Sequence, residues 1–405
     1  MRLLYVHERI GAFGGAEVNV LLTAQELRRR GHDVSIAHGG ADGGEADWRD
    51  AFPERFALGT PADATALARA LAQFRPDVVI LHKFSDQNVL HLLANCGRPV
   101  IRMVHDHDLY CMRSYKYNYF SRNICTRAAS PYCIFPCAAF LGHSAAPGFP
   151  LRWVSYSAKR REISINRGFH RLVVASEYMR AELLRNGFGN DQIEIHAPVP
   201  RSTKSPDSPS FSTRNLIIYV GQIVRGKGVD VLLESLARVA SPFECVIIGD
   251  GSQRAQCERL SKRLGLESRV RFIGFVPQAQ IAGHYNDASL AVMSSLWPEP
   301  FGAAGLEAMR RGLPVVAFDA GGIREWLVDG VNGFLVPWMD RDAYAKKVDT
   351  LLVDKALARS LGQSGRRMAD DRFNFDSYID NLERLYARTS DGAGAIQTAL
   401  TGNLS

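Results

Sequence analysis

Two carboxylates eight residues apart, Glu299 and Glu307, bracket a turn and a helix start within SSLWPEPFGAAGLEAMRRGLPVVAFDAGGIRE, residues 294–325. Pro300 keeps Glu299 out of helical geometry, so Glu299 sits on the incoming loop. Gly302 permits close backbone approach, and Ala303 opens AAGLEAMR, a good helix former, which places Glu307 about one turn inside the helix. Backbone N–H groups and the positive helix end then lie between the two acids. A ligand carrying both phosphate and hydroxyl groups, such as a sugar nucleotide, suits that arrangement.

Three further places could do chemistry. The first strand runs into IGAFGGAEV, residues 10–18, where Gly14 and Gly15 can turn backbone amides toward a phosphate. The spacing is not GxGxxG and no acidic residue ends a matching second strand, which argues against a nicotinamide site. The strand PVIRMV ends at His105, where ligands bind in open α/β sheets, with Asp106, His107 and Asp108 as neighbours. After the strand LIIYV, a short loop carries Arg225 and Lys227, two cations able to neutralise a diphosphate. Cysteines are a weaker signal. Cys111, Cys125, Cys133 and Cys137 cluster, but their spacing lacks paired CxxC knuckles; the expectation is reduced thiols, with a structural metal as the alternative.

The elements that must position these residues are short apolar, β-branched runs alternating with helical patterns. Expected strands are Arg2–His7, Asp33–His38, Asp77–His82, Val100–Val104 and Arg171–Ala175, then Leu216–Val220, Cys245–Ile248, Val270–Ile273, Leu290–Met293 and Pro314–Phe318. Residues 15–31 read as a helix. Strands separated by helices imply parallel βαβ units, and two such series imply two doubly wound domains. PVPRSTKSPDSPSFSTRN, residues 198–215, reads as the linker, residues 375–388 as a last amphipathic helix, and 389–405 as a disordered tail.

At 405 residues the chain can bury two full cores. No apolar run reaches the roughly 18–20 residues of a membrane span, and the N-terminal run is too short for a signal peptide, so a cytoplasmic location is expected. The net charge of +7 is uneven: residues 101–171 hold 11 Lys/Arg against 3 Asp/Glu, and 11 aromatics fall between Tyr110 and Tyr156. Basic residues mixed with aromatics fit an anionic membrane or a phosphorylated acceptor; no nucleic-acid motif accompanies them.

Taken whole, residues 294–325 resemble the donor-binding signature of the retaining glycosyltransferases of family 4, which have the GT-B fold. The resemblance runs from the GGAE loop to VNGFLVP near residue 336 and is strongest from Leu216 onward. It implies an α/β chain of two Rossmann-like domains facing each other across a cleft. The first would be residues 1–200 with the crossover helix 375–388, the second 201–374. By this likeness His105 contacts the donor sugar near the reacting carbon. Glu307 accepts from the ribose diol, and Glu299 accepts from the sugar hydroxyls beside the amides of Phe301, Gly302 and Ala303. Lys227 and Arg225 meet the diphosphate, while Gly14 and Gly15 approach it from the other domain. The turn at Gly249 shapes the nucleotide pocket, and Phe275 and Val276 border the base; the sequence does not distinguish uracil from guanine or adenine there. The family pattern has Arg where this chain has Gln222, so one cation is missing or Arg225 replaces it.

The implied activity is transfer of a glycosyl unit from a UDP- or GDP-linked sugar to a glycan or lipid-linked acceptor, with retention and no cofactor or metal required. Bacterial-type polysaccharide or glycolipid synthesis at the inner face of the membrane is the implied setting. Asp106–Asp108 should not be taken for an Asp-x-Asp metal motif. Alternatives are a nucleotide-sugar epimerase of the same fold and a non-catalytic sugar-nucleotide scaffold, which Gln222 alone favours.

Overall fold

The continuous apolar runs form strands buried on both faces, as parallel sheets covered by helices require; Leu3, Leu4, Tyr5 and Val6, for example, are fully buried. The computed structural model describes residues 1–11, 14–41, 45–143, 151–201, 212 and 214–402, and most of the expected linker lies outside these. The chain forms two compact units. One holds Met1–Ser114, Thr126–Arg201 and Phe375–Ser405, the other Tyr115–Cys125 and Ser202–Asn374.

In chain order the first unit contains β1 (Arg2–Ile10), β2 (Asp33–Ala41), β3 (Glu54–Ala57), β4 (Val78–Leu81), β5 (Val100–Met103), the hairpin β6 (Leu141–His143) and β7 (Leu151–Trp153), β8 (Arg171–Val174) and β9 (Ile193–Ile195). Among the described residues its sheet has the parallel order β3-β2-β1-β4-β5-β8-β9. The hairpin stands apart from it as an antiparallel pair. β1 is longer than its apolar run because Arg9 and Ile10 still pair with Gly40 and Ala41 of β2.

The last helix, Phe375–Gly402, belongs to this first unit. Arg30 bonds Glu383 at 2.7 Å, and the Asn19 amide donates to the Tyr378 hydroxyl at 3.2 Å. The helix does not stop at Arg388; where a disordered tail was expected it runs on to Gly402.

The second unit contains β10 (Leu216–Val220), β11 (Glu244–Ile248), β12 (Val270–Gly274), β13 (Leu290–Met293), β14 (Val315–Phe318) and β15 (Gly333–Val336). Its parallel order is β12-β11-β10-β13-β14-β15. Ile217, Ile247, Val292 and Val316 on its strands pack with Leu232, Leu236, Tyr344 and Val348 from covering helices.

One assignment changes. Tyr115–Cys125, expected within the first domain, packs as part of the second unit. Tyr117 bridges Ile124 in antiparallel fashion, and the Arg122 guanidinium meets the Asp230 carboxylate at 2.7 Å. The stretch was read from its charge, which says nothing about which neighbour would take that charge up.

Candidate functional site

In the second unit the candidate residues hang from the carboxyl ends of neighbouring strands, where doubly wound sheets hold ligands. Glu299 lies after β13, and its backbone is pinned to the turn that follows β14. Its N–H donates to Ala320 O at 3.1 Å, and its carbonyl accepts from Gly322 N at 2.7 Å. Gly321 adopts φ +68°, and a Cβ there would stand 2.6 Å from Glu299 O. Gly302, at φ +85°, starts the helix Ala303–Arg310. The loop placement expected from Pro300 is therefore what the backbone shows, with Glu307 half-buried on the helix that follows.

The Glu299 carboxylate is 4% exposed. Its Oε1 accepts from Lys227 Nζ at 2.7 Å, from Trp297 Nε1 at 3.2 Å and from the Ser295 hydroxyl. None of these three donors goes to Oε2. Burial alone would raise this acid. The Lys227 charge and the three hydrogen bonds outweigh burial and hold it below the usual carboxylate range.

Lys227 closes the 3₁₀ turn Arg225–Lys227 after β10. Gly228 at φ +65° lets that turn pass against Ser294, whose hydroxyl donates to Lys227 O at 2.9 Å. The ammonium also lies 5.3 Å from the Trp297 ring centroid. Lys227, expected to meet the diphosphate, is paired here with the other candidate, Glu299. An ammonium has three donors, so this pairing orients Lys227 and leaves hydrogen-bonding capacity for a phosphate. Arg225 is turned onto Tyr119, donating to its carbonyl at 3.3 Å with the guanidinium 4.9 Å from the ring centroid. Gln222 is exposed, and its carbonyl accepts from Tyr219 OH at 3.1 Å.

The remaining second-unit candidates divide by exposure. Phe275 is 78% exposed beside the nearly buried Val276, after β12. The Phe301 ring is buried against Phe373, so only its backbone is placed to meet a ligand. Gly249, at φ +136°, ends β11 against Gly221.

In the first unit His105 follows β5 and joins a row of neighbouring rings that sequence reasoning missed. His82 lies 5.1 Å from His105 at 11° and 5.1 Å from Tyr5 at 14°; His7 lies 6.0 Å from His82. His82 Nδ1 and His105 Nε2 are hydrogen-bonded at 2.8 Å. A signal was available: His7, His82 and His105 each lie toward the carboxyl end of a strand, and the order β1-β4-β5 sets those strands side by side. Beside these rings, Lys83 Nζ faces Glu8, Asp106 and Asp108 at 4.0, 3.9 and 3.6 Å. His107 is buried, its Nδ1 2.7 Å from Tyr110 OH.

Burial pushes His7 down to about 4 and His105 down to about 3, and it lowers His82 too. The Arg102 charge acts in the same direction on all three. The folded protein thus keeps them neutral while the unfolded chain takes up protons below about pH 6.5. Their contribution is complete above that value and shrinks as pH falls toward the folded-state values. Thermal melts should show a loss on the order of 1 kcal/mol per histidine by about pH 5.5. His7→Phe should lose less over the same interval.

Gly14 caps the helix Gly15–Arg29 in extended geometry, and its N–H donates to Glu17 Oε2 at 3.0 Å. The amide expected to face a phosphate is therefore engaged by Glu17. A Cβ on Gly15 would meet no atom of the described residues within 4 Å. Ala12 and Phe13 of this loop lie outside the described residues.

The cysteine cluster is not a metal centre among the described residues: no group of three or more His, Cys, Asp or Glu there could hold an ion. None of the four is in a disulfide among the described residues, and Cys125 packs with the second unit while the other three belong to the first. Much of the basic stretch is also used internally. Lys116 is 1% exposed, Arg122 is paired with Asp230, and Lys159 meets Glu162 at 2.6 Å. Phe120, Phe135 and Trp153 remain exposed. Among the described residues no helix is long and apolar enough to cross a membrane.

Two parallel doubly wound sheets with candidate ligand residues at their carboxyl ends define a GT-B protein. Anabaena Alr3699/HepE, solved in complex with UDP and glucose, shares the fold with a TM-score of 0.72 at 19% identity, over 96% of this chain and all of that one. Residues 13–198 match Glycosyltransferase Family 4, and residues 200–368 match Glycosyl transferases group 1. The chain belongs to this glycosyltransferase family. It is 30% identical over 239 residues to a D-inositol 3-phosphate glycosyltransferase of Xylanimonas cellulosilytica, covering 54% of this chain and 57% of that protein. It is 29% identical over 172 residues to the lipopolysaccharide core biosynthesis glycosyltransferase LpsE of Rhizobium meliloti, covering 42% and 49%. The chain spans about half the length of the curated relatives it matches.

Proposed function

We propose that this protein transfers a glycosyl unit, with retention, from a UDP- or GDP-linked sugar to a hydroxyl of a glycan or lipid-linked acceptor. The observation that carries the reading is the Lys227–Glu299 pair, 2.7 Å apart after adjacent strands, with Glu307 on the next helix. Lys227 meets the departing diphosphate and stabilises the charge that develops as the glycosidic bond breaks. Glu299 Oε2 accepts from sugar hydroxyls, and Glu307 accepts from the ribose diol. No protein nucleophile is assigned: the acceptor oxygen attacks from the leaving-group face, and the diphosphate takes its proton. Charge neutralisation falls to Lys227 and Arg225, so turnover should survive a chelator. Family membership supports the donor class, and the LpsE likeness supports a lipid-linked glycan as acceptor at the inner membrane face.

Nucleoside diphosphate release is the test, with UDP- and GDP-sugars offered in parallel and candidate acceptors added. Release should rise with a suitable acceptor, whereas a donor that is consumed to the same extent without one would argue against transfer. Glu307→Gln should weaken donor binding at least tenfold, since a hydrogen bond to a charged group contributes about 1.5–3 kcal/mol. Unchanged donor affinity in a calorimetric titration would remove the ribose assignment.

A further inference from the structure

We infer that His82 is a positioning residue that fixes the ring and the tautomer of His105, so that His105 presents Nδ1–H as a hydrogen-bond donor. The inference rests on the proposed reading of His105 as a ligand-facing residue. It comes from the hydrogen bond between His82 Nδ1 and His105 Nε2, 2.8 Å apart. Two lone pairs cannot make that bond, so one of these nitrogens carries the proton.

The surroundings of His82 decide which. It is 1% exposed, and its Nε2 is buried with no hydrogen-bond partner among the described residues. If His105 Nε2–H donated, His82 would carry its own proton on Nε2 as an orphaned buried donor. If His82 Nδ1–H donates, the same buried atom is only an unfilled acceptor. Orphaned buried N–H groups are the rarer of the two in folded proteins, and a buried donor without a partner carries the full desolvation cost. The second arrangement therefore holds, and His105 must carry its proton on Nδ1.

Packing removes the freedom to rearrange. The His82 ring lies between Tyr5 and His105, at 14° and 11° to them. Tyr5 is itself fully buried and edge-on to Phe52 at 5.3 Å. Double protonation of His82 would place a second cation beside the buried Arg102 guanidinium, which donates to Phe84 O at 3.3 Å. With Nε2 engaged, His105 cannot take a proton there. Its task becomes donation from Nδ1 to an oxygen acceptor, such as a sugar hydroxyl or a phosphate oxygen.

Long-range ¹H–¹⁵N correlation spectra of histidine-labelled protein read the tautomer without any ligand, and His105→Gln assigns the signal. In the wild type His105 should show its pyrrole-type nitrogen at Nδ1. In His82→Phe, which keeps an aromatic ring and removes the hydrogen bond, that signal should move to Nε2, the form free histidine favours. His82→Asn, whose amide can donate, should restore Nδ1–H. A wild-type His105 protonated on Nε2 overturns the inference, as does an unchanged tautomer in folded His82→Phe. Should His82→Phe not fold, the wild-type spectrum alone decides. The underlying reading fails separately: undiminished turnover in His105→Gln would remove His105 from the site while leaving the tautomer result intact.

Discussion

Replacing Lys227 by alanine is expected to destabilise the protein by about 3–5 kcal/mol, because it leaves a buried carboxylate without its counter-charge. Glu299 is 4% exposed and 2.7 Å from the Lys227 ammonium. Hydrogen bonds from Ser295 and Trp297 remain, but neither carries charge. The pH dependence separates this from a simple packing loss. In the wild type Glu299 is held below its ordinary value, so its contribution is present above the unfolded-state value and is lost as pH falls through the folded one. In Lys227→Ala burial dominates and raises the acid, so the folded state takes up a proton more readily than the unfolded chain, and the variant gains stability as pH falls. The difference between the two proteins should therefore narrow from about pH 7 to about pH 4.5 in urea titrations. Glu299→Gln should partly rescue Lys227→Ala, giving coupling of about 1–3 kcal/mol in a double-mutant cycle. Additive effects would show that the pair does not act as a unit. Donor-dependent turnover should be lost in Lys227→Ala at every pH.

The pair also shows where sequence stops being informative. Its local frame was legible: Pro300 and Gly302 act within a few residues, and the helix Ala303–Arg310 begins where they place it. Strands such as Leu216–Val220 and Leu290–Met293 could be read to the residue because a buried parallel strand is a continuous apolar run. β3 and β9 are not such runs. Glu54–Ala57 and Ile193–Ile195 are short edge strands with charged residues, held by backbone pairing that leaves no side-chain period. Pairings between distant residues were hidden for another reason. Lys227 and Glu299 are 72 residues apart, and each reads alone as a ligand contact. His82 sat at the end of an expected strand, but its link to His105 required the strand order. Tyr115–Cys125 reads as basic and aromatic, while its partners Trp297 and Asp230 lie more than one hundred residues onward.

Gly249→Ala should be as damaging as the loss of Lys227, although it removes no interaction. The residue adopts φ +136°, and a Cβ would stand 1.9 Å from Gly221 O and 2.8 Å from Gly221 C. Neither backbone is free to retreat. Gly221 N donates to Ile248 O at 3.0 Å, and Gly249 N donates to Gly274 O at 2.8 Å, tying the ends of β10, β11 and β12 together. Relief requires breaking that ladder at the point where the Arg225–Lys227 turn departs, so the cost should exceed about 4 kcal/mol. Gly265→Ala is the control. It too has positive φ, at +68°, but a Cβ there would meet nothing within 4 Å. Only backbone strain is then incurred, about 1–2 kcal/mol. Urea unfolding of both variants separates αL strain, which Gly265 alone carries, from the larger positive-φ strain plus collision at Gly249. Near-equal midpoints would mean that the β10 and β11 ends yield, and with them the fixed placement of Lys227 opposite Glu299.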